Sequence, residues 1–123
     1  MKPAYTYRAT VMRIYDGDTI YVDIDLGCGQ HMLGVDGRGE PLRLFGIDTP
    51  EIRGEERAEG LVARDRVVAL IPIGTRVVVE TFLDKKGKYG RLLAVVHYEA
   101  EPDLWRSLNA QLVTEGLAEY VNY

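Results

Sequence analysis

Cysteine is almost missing from this chain: of 123 residues, only Cys28 carries a thiol. One cysteine cannot close an internal bridge, so no disulfide framework holds the fold and none marks an oxidising compartment. Cys28 stands between Gly27 and Gly29 with no base beside it in the sequence, which reads as a passive loop residue rather than a catalytic thiol. Long apolar runs are missing too. Nothing approaches the roughly 20 consecutive residues of a membrane-spanning helix, so no membrane partner is expected. The opening stretch from Met1 to Tyr7 lacks the apolar centre of a secretory leader. A cytoplasmic location is expected on that ground, with secretion the alternative if a leader was removed. The chain also lacks an excess of positive charge: 15 lysines and arginines stand against 19 aspartates and glutamates, a net charge of −4. Binding to nucleic acid usually rests on neutralising phosphates. Here it would need a local basic cleft, and it would depend on a divalent cation and on low salt.

What is present suits one folded domain spanning residues 1–123, with 46% hydrophobic and 28% charged residues. Residues 7–15 alternate, with Tyr7, Ala9, Val11, Arg13 and Tyr15 on one side, and predict a first strand. Asp16-Gly17-Asp18 is a turn signal. A second strand follows to Asp25, with Ile20, Val22 and Ile24 on one face. Five glycines among the fifteen residues 26–40 predict a long connection. Pro41 to Ile47 predicts a third strand, closed by Asp48-Thr49-Pro50. Gly60, Ala63, Val67, Leu70 and Ile71 recur at helical spacing and predict a helix over residues 56–71, stopped by Pro72 and Gly74. Strands are expected at 76–83 and 91–98, joined by the basic hairpin Lys85-Lys86-Gly87-Lys88-Tyr89-Gly90. Asp103 reads as the cap of a second helix striped by Leu104, Leu108 and Leu112. The order predicts an α+β, mainly β fold: a five-stranded Greek-key barrel of the OB type with two helices.

Three clusters carry chemistry. Asp18 and Asp48 each sit at a strand boundary and can converge if the second and third strands are neighbours; hard oxygen donors of this kind suit Ca²⁺. The competing reading of Asp16 and Asp18 is that their side chains only cap the turn. Arg43, between Leu42 and Leu44, needs an anion: either an internal carboxylate or a phosphate gripped by its fork. Glu51, three residues past Asp48, can orient or deprotonate a water, or be a solvated surface charge. Arg91 opens a strand beside Lys88 and Tyr89, in the most basic stretch of the chain. Together, two acidic ligands, two arginines and a glutamate are what metal-assisted phosphodiester hydrolysis requires.

Asp16-Gly17-Asp18-Thr19, Arg43 followed by Asp48-Thr49-Pro50-Glu51, Asp84 with Lys88-Tyr89-Gly90-Arg91, and Glu115-Gly116-Leu117-Ala118 occur in an order that resembles the staphylococcal nuclease family. The resemblance implies a Ca²⁺-dependent endonuclease acting on single-stranded or frayed DNA and RNA and leaving 3′-phosphate ends. It implies that Asp18, Asp48 and the Thr49 carbonyl hold Ca²⁺, with Asp16 supporting them. Glu51 would position the water. Arg43 and Arg91 would grip the scissile phosphate, Arg91 as a cation rather than a proton donor. Lys88 and Tyr89 would touch a neighbouring phosphate. The sequence departs from compact secreted members in its longer 26–40 connection, its short 52–57 loop and its end at Tyr123, where those members continue into a third helix. The alternative is a non-catalytic OB-fold module that binds nucleic acid without metal.

Overall fold

The computed structural model describes residues 5–83 and 92–121. Its strands are β1 (Thr6–Asp16), β2 (Thr19–Gly27), β3 (Gln30–Met32), β4 (Glu40–Leu44), β5 (Ile47–Asp48), β6 (Arg76–Leu83), β7 (Leu92–Glu101), β8 (Leu104–Ser107) and β9 (Glu119–Tyr120). Helix α1 (Arg57–Leu70) follows a 3₁₀ turn at Gly54–Glu56, and α2 (Leu108–Thr114) follows β8.

β1, β2, β4, β7 and β6 hydrogen-bond in a closed ring, since β1 pairs with both β2 and β6. β4 and β7 run parallel, Leu42 opposite Leu92 and Leu44 opposite Ala94, while the other ring pairings are antiparallel. This is the expected five-stranded, mainly β α+β ring of OB type. Closure removes the sheet edges that an open arrangement of the same strands would expose. Alternation fills its interior: Ile20, Val22 and Ile24 of β2, Leu42 and Leu44 of β4, Val77 and Val79 of β6, and Ala94 and Val96 of β7 are all buried. α1 covers one opening with Ala63, Val67 and the following Ile71, and α2 adds Leu108 and Leu112. Burying each of these valine, leucine and isoleucine side chains stabilises the fold by about 1.5–3 kcal/mol.

Four expectations change. The alternation in β1 does not run unbroken. The β1–β2 register shifts between Val11 and Arg13 and again between Ile14 and Asp16. After the first shift Ile14 packs on the core, while Arg13 turns out and lies 4.0 Å over the Tyr21 ring. A bulge of this kind reverses the facing of every residue beyond it. Second, the glycine-rich connection is partly ordered: β3 pairs back onto β2, Met32 opposite Ile24, across a turn in which Gly27, Cys28 and Gly29 all have positive φ. Third, the strand expected over 41–47 ends at Leu44. Gly46, at φ 76°, turns the chain, and Ile47–Asp48 joins β9 instead.

Fourth, Asp103 does not cap a helix. It adopts φ 61° in the turn between β7 and β8. Leu104 and Trp105 are exposed on β8, which pairs with β7. The helix starts one turn later, where the Ser107 hydroxyl accepts from the Ala110 amide at 3.2 Å. A serine cap of this kind is worth about 1 kcal/mol. In the described residues, no helix is long and apolar enough to cross a membrane.

Candidate nuclease-type site

The site is assembled where β1 turns into β2. Asp16 ends β1, and its Oδ1 accepts from the Asp18 amide at 3.1 Å, so the turn-capping reading of Asp16 holds. Gly17 is required by space: a Cβ there would lie 2.8 Å from the Thr49 hydroxyl and 2.9 Å from the Ala63 methyl. The turn therefore lies flat against the Asp48–Pro50 segment and α1. That packing leaves Asp18 only 3% exposed.

A buried carboxylate needs partners. Asp18 Oδ2 accepts from the Thr49 amide at 3.2 Å and pairs with Arg43 Nη1 at 3.1 Å. Arg43 is delivered by register, since it lies opposite Thr19 in the β2–β4 pairing and the Leu44 amide donates to the Asp18 carbonyl at 2.8 Å. The other arm of the same guanidinium, Nη2, reaches Asp48 Oδ1 at 3.1 Å. Strands β2 and β4 are thus neighbours, and Asp18 and Asp48 converge on one cation. Burial pushes the Asp18 carboxyl above its ordinary value. Arg43 opposes that rise, Asp16 adds to it by hydrogen bond and by charge, and the Thr49 amide pulls down.

Asp48 is held from the other side. Its short strand pairs with β9, Asp48 opposite Glu119, and the Val121 amide donates to the Gly46 carbonyl at 2.9 Å. The turn between Arg43 and Asp48 is pinned by Asn109 of α2. Its Nδ2 donates to the Phe45 and Ala94 carbonyls at 2.9 and 3.1 Å, and its Oδ1 accepts from the Val96 amide at 3.1 Å.

Glu51 leaves the strand on an exposed loop whose backbone is fixed to α1. The Glu51 amide donates to Glu56 Oε2 at 3.0 Å, and Arg57 Nη1 donates to the Ile52 carbonyl at 3.2 Å. Gly60, on the facing side of α1, lets that loop come within a distance no side chain would allow: a Cβ there would sit 2.1 Å from the Glu51 carbonyl oxygen.

One cleft of about 240 Å³ gathers Asp16, Asp18, Arg43, Asp48, Thr49 and Glu51, so six residues singled out in the sequence share it. Lys88, Tyr89, Arg91 and Asp84 lie outside the described residues. Tyr15, Ile52 and Arg53 line the same cleft and were not singled out. The only sequence signal for Tyr15 and Arg53 is adjacency, one residue before Asp16 and two after Glu51. Asn109 and Gly60 carried no signal of a site role.

The donor set fits a hard cation. Two carboxylates already stand on either side of one positive charge, and Ca²⁺ accepts carboxylate, carbonyl and water oxygens in loose geometry. The Thr49 hydroxyl, buried at the same place, has no hydrogen-bond partner. Among the described residues no group of three aspartate, glutamate, histidine or cysteine side chains is poised for a metal, so a cation here would rely on backbone and water for its remaining ligands.

The closed five-stranded ring is of OB type and gathers carboxylates and an arginine in one cleft. Residues 41–123 match the model of the staphylococcal nuclease homologue family, and the chain belongs to that family. It is 32% identical over 115 residues to a thermonuclease of Staphylococcus intermedius, covering 88% of this chain and 56% of that protein. It is 34% identical over 116 residues to a thermonuclease of Staphylococcus hyicus, covering 92% of this chain and 57% of that protein. The chain thus spans little more than half the length of these relatives.

Proposed function

We propose that this protein is a Ca²⁺-dependent nuclease that hydrolyses phosphodiester bonds of DNA, RNA or both, prefers single strands and leaves 3′-phosphate ends. The observation that carries this reading is the convergence of Asp18 and Asp48 on Arg43, with Glu51 on the same cleft. Two carboxylates held this close repel one another unless positive charge stands between them. In this structure the guanidinium supplies it.

Asp18, Asp48 and the Thr49 carbonyl would hold Ca²⁺, and Asp16 fixes the turn that carries Asp18. When bound, the cation polarises the phosphate and stabilises charge developing on its oxygens. Arg43 presents a two-pronged donor to the phosphate, a geometry lysine cannot reproduce. Glu51 is exposed on the cleft and its backbone is clamped beside it, so its carboxylate can reach a water poised for attack on phosphorus. Attack by the water, whose proton passes to Glu51, forms a new P–O bond and breaks the bond to the 5′-oxygen, which leaves with a proton from solvent, so that the phosphate stays on the 3′ side. Arg91 is assigned as the second phosphate-binding cation, and Lys88 and Tyr89 as contacts to a neighbouring phosphate.

The test is turnover on a single-stranded oligonucleotide in millimolar Ca²⁺ for the wild type and Glu51→Gln. A loss of several orders of magnitude in a variant with unchanged unfolding temperature supports the assignment. Near-normal turnover in Glu51→Gln removes Glu51 from the mechanism. A folded wild type that binds the oligonucleotide without metal and cuts nothing establishes the non-catalytic binding module instead.

A further inference from the structure

We propose that Tyr15 and Arg53 form a nucleotide subsite on the rim of this cleft, Arg53 holding the phosphate next to the scissile one and Tyr15 stacking on an unpaired base. The proposal rests on the nuclease reading above and adds to it the residues that select single strands.

Tyr15 is aimed by a defect in the barrel. Ile14 lies opposite Ile20 and Asp16 opposite Thr19, so the register shift between them leaves Tyr15 opposite no residue of β2. Bulges beside a site commonly redirect one side chain while the ladder resumes on either side. Here the redirected side chain lines the cleft that holds Asp18, Arg43 and Asp48, and it is 38% exposed. Among the described residues its ring stacks on no other aromatic and under no cation. An aromatic face left open beside a phosphate site is the element that single-strand binders use, because a base must be unpaired to lie on it.

Arg53 is the second half. It precedes the 3₁₀ turn in extended backbone, at φ −128° and ψ 157°. It lines the cleft and also the adjoining recess of about 460 Å³ that contains Glu55 and Glu56. The other arginines of this region are engaged: Arg43 by two carboxylates, Arg57 by the Ile52 carbonyl. Among the described residues Arg53 makes no ion pair and no side-chain hydrogen bond, although two glutamates follow it closely in the chain. The cleft is lined by four carboxylates, Asp16, Asp18, Asp48 and Glu51, against Arg43 and Arg53. With Arg43 assigned to the scissile phosphate, Arg53 is the other arginine lining the cleft and the charge placed to meet a flanking phosphate. In a chain of net charge −4 such a contact carries a large share of the electrostatic attraction.

The test measures equilibrium binding of a labelled single-stranded oligonucleotide by anisotropy in Ca²⁺, with Glu51→Gln as the parent so that substrate survives, over a range of salt concentrations. Arg53→Ala on that parent should lower the slope of log affinity against log salt by about 0.7, one phosphate on a single strand, and Arg53→Lys should restore it. Tyr15→Ala should weaken binding about tenfold at fixed salt with the slope unchanged, and Tyr15→Phe should retain affinity. Both side chains are exposed, so unfolding temperatures should match the parent. If the wild type cuts and the parent binds, but neither alanine variant changes slope or affinity, the subsite is wrong and the nuclease reading stands. If the wild type does not cut and the parent does not bind, the nuclease reading falls and the subsite falls with it.

Discussion

Replacing Gly60 by alanine adds one methyl group to the buried face of α1 and should slow the proposed cleavage about a hundredfold without unfolding the protein. The added Cβ would lie 2.1 Å from the Glu51 carbonyl oxygen, 2.4 Å from its carbon and 2.8 Å from the Ile52 nitrogen. All three are backbone atoms, so no side chain can swing aside. An ordinary contact begins at 3.4 Å. Restoring it requires the Glu51 segment and α1 to separate by about 1.3 Å, and a displacement near 1 Å in a reacting group costs on the order of 10²-fold in rate. The net loss of stability should reach at most about 2 kcal/mol, which leaves the protein folded. Alanine gains about 1 kcal/mol over glycine inside a helix, against about 1–3 kcal/mol for forcing a methyl group into packed surroundings. The assay is kcat for single-strand cleavage at saturating substrate, beside a thermal unfolding curve. The expected result is kcat down about a hundredfold, with the protein folded and its unfolding midpoint lowered by no more than roughly 10 °C. Wild-type kcat in a folded Gly60→Ala protein would show that the approach of α1 to the loop does not set the position of Glu51.

Other substitutions probe the remaining supports. Asn109→Ala removes three hydrogen bonds to backbone groups, of which the Ala94 carbonyl keeps the Phe45 amide as a donor, and should cost about 1–3 kcal/mol of unfolding free energy, read from a denaturant midpoint at constant slope. Arg43→Lys should lower kcat/KM by at least tenfold, because an ammonium cannot span Asp18 and Asp48 or grip phosphate with two parallel bonds; unchanged kinetics would refute the two-pronged role. Glu115 accepts from Arg66 at 2.7 and 3.1 Å and from Gln111, and these bonds hold its carboxyl below the ordinary 4.5. A carboxyl depressed in the folded state adds stability that is fully present above pH 4.5 and disappears as pH falls through the folded value. Glu115→Gln should therefore flatten that part of the acid stability profile, and an unchanged profile would show that the pair contributes nothing.

The parts of the fold that were legible were those written in local periodicity. Ile20, Val22 and Ile24 alternate without interruption, and Ala63, Val67 and Ile71 repeat at helical spacing; all six are buried as expected. Asp18, Arg43 and Asp48 each had a non-catalytic reading and pointed to chemistry only in combination; the pairing of Thr19 with Arg43 brings them together. What escaped was set by tertiary context. The two register shifts in β1 leave the pattern of residue types looking regular while reversing the facing of Ile14 and freeing Tyr15. Leu104 matches a helical stripe with Leu108 and Leu112, yet pairing with β7 makes it strand, and Ser107 rather than Asp103 holds the cap. Gly60 reads as one more small residue on a helix face. Its role lies in the side chain it lacks, which becomes visible only when the Glu51 backbone is found against it.

The central claim is that the carboxylates around Arg43 serve a Ca²⁺-dependent cut, and one measurement addresses it most directly. Single-stranded DNA is incubated with the protein in millimolar Ca²⁺, and in parallel with a chelator, for the wild type and for Asp18→Asn with its folding verified. The account predicts cleavage to 3′-phosphate ends in Ca²⁺, none with chelator, and a loss of orders of magnitude in the variant. Cleavage that survives the chelator, or a folded wild type that does not cut with Ca²⁺ present, would contradict it.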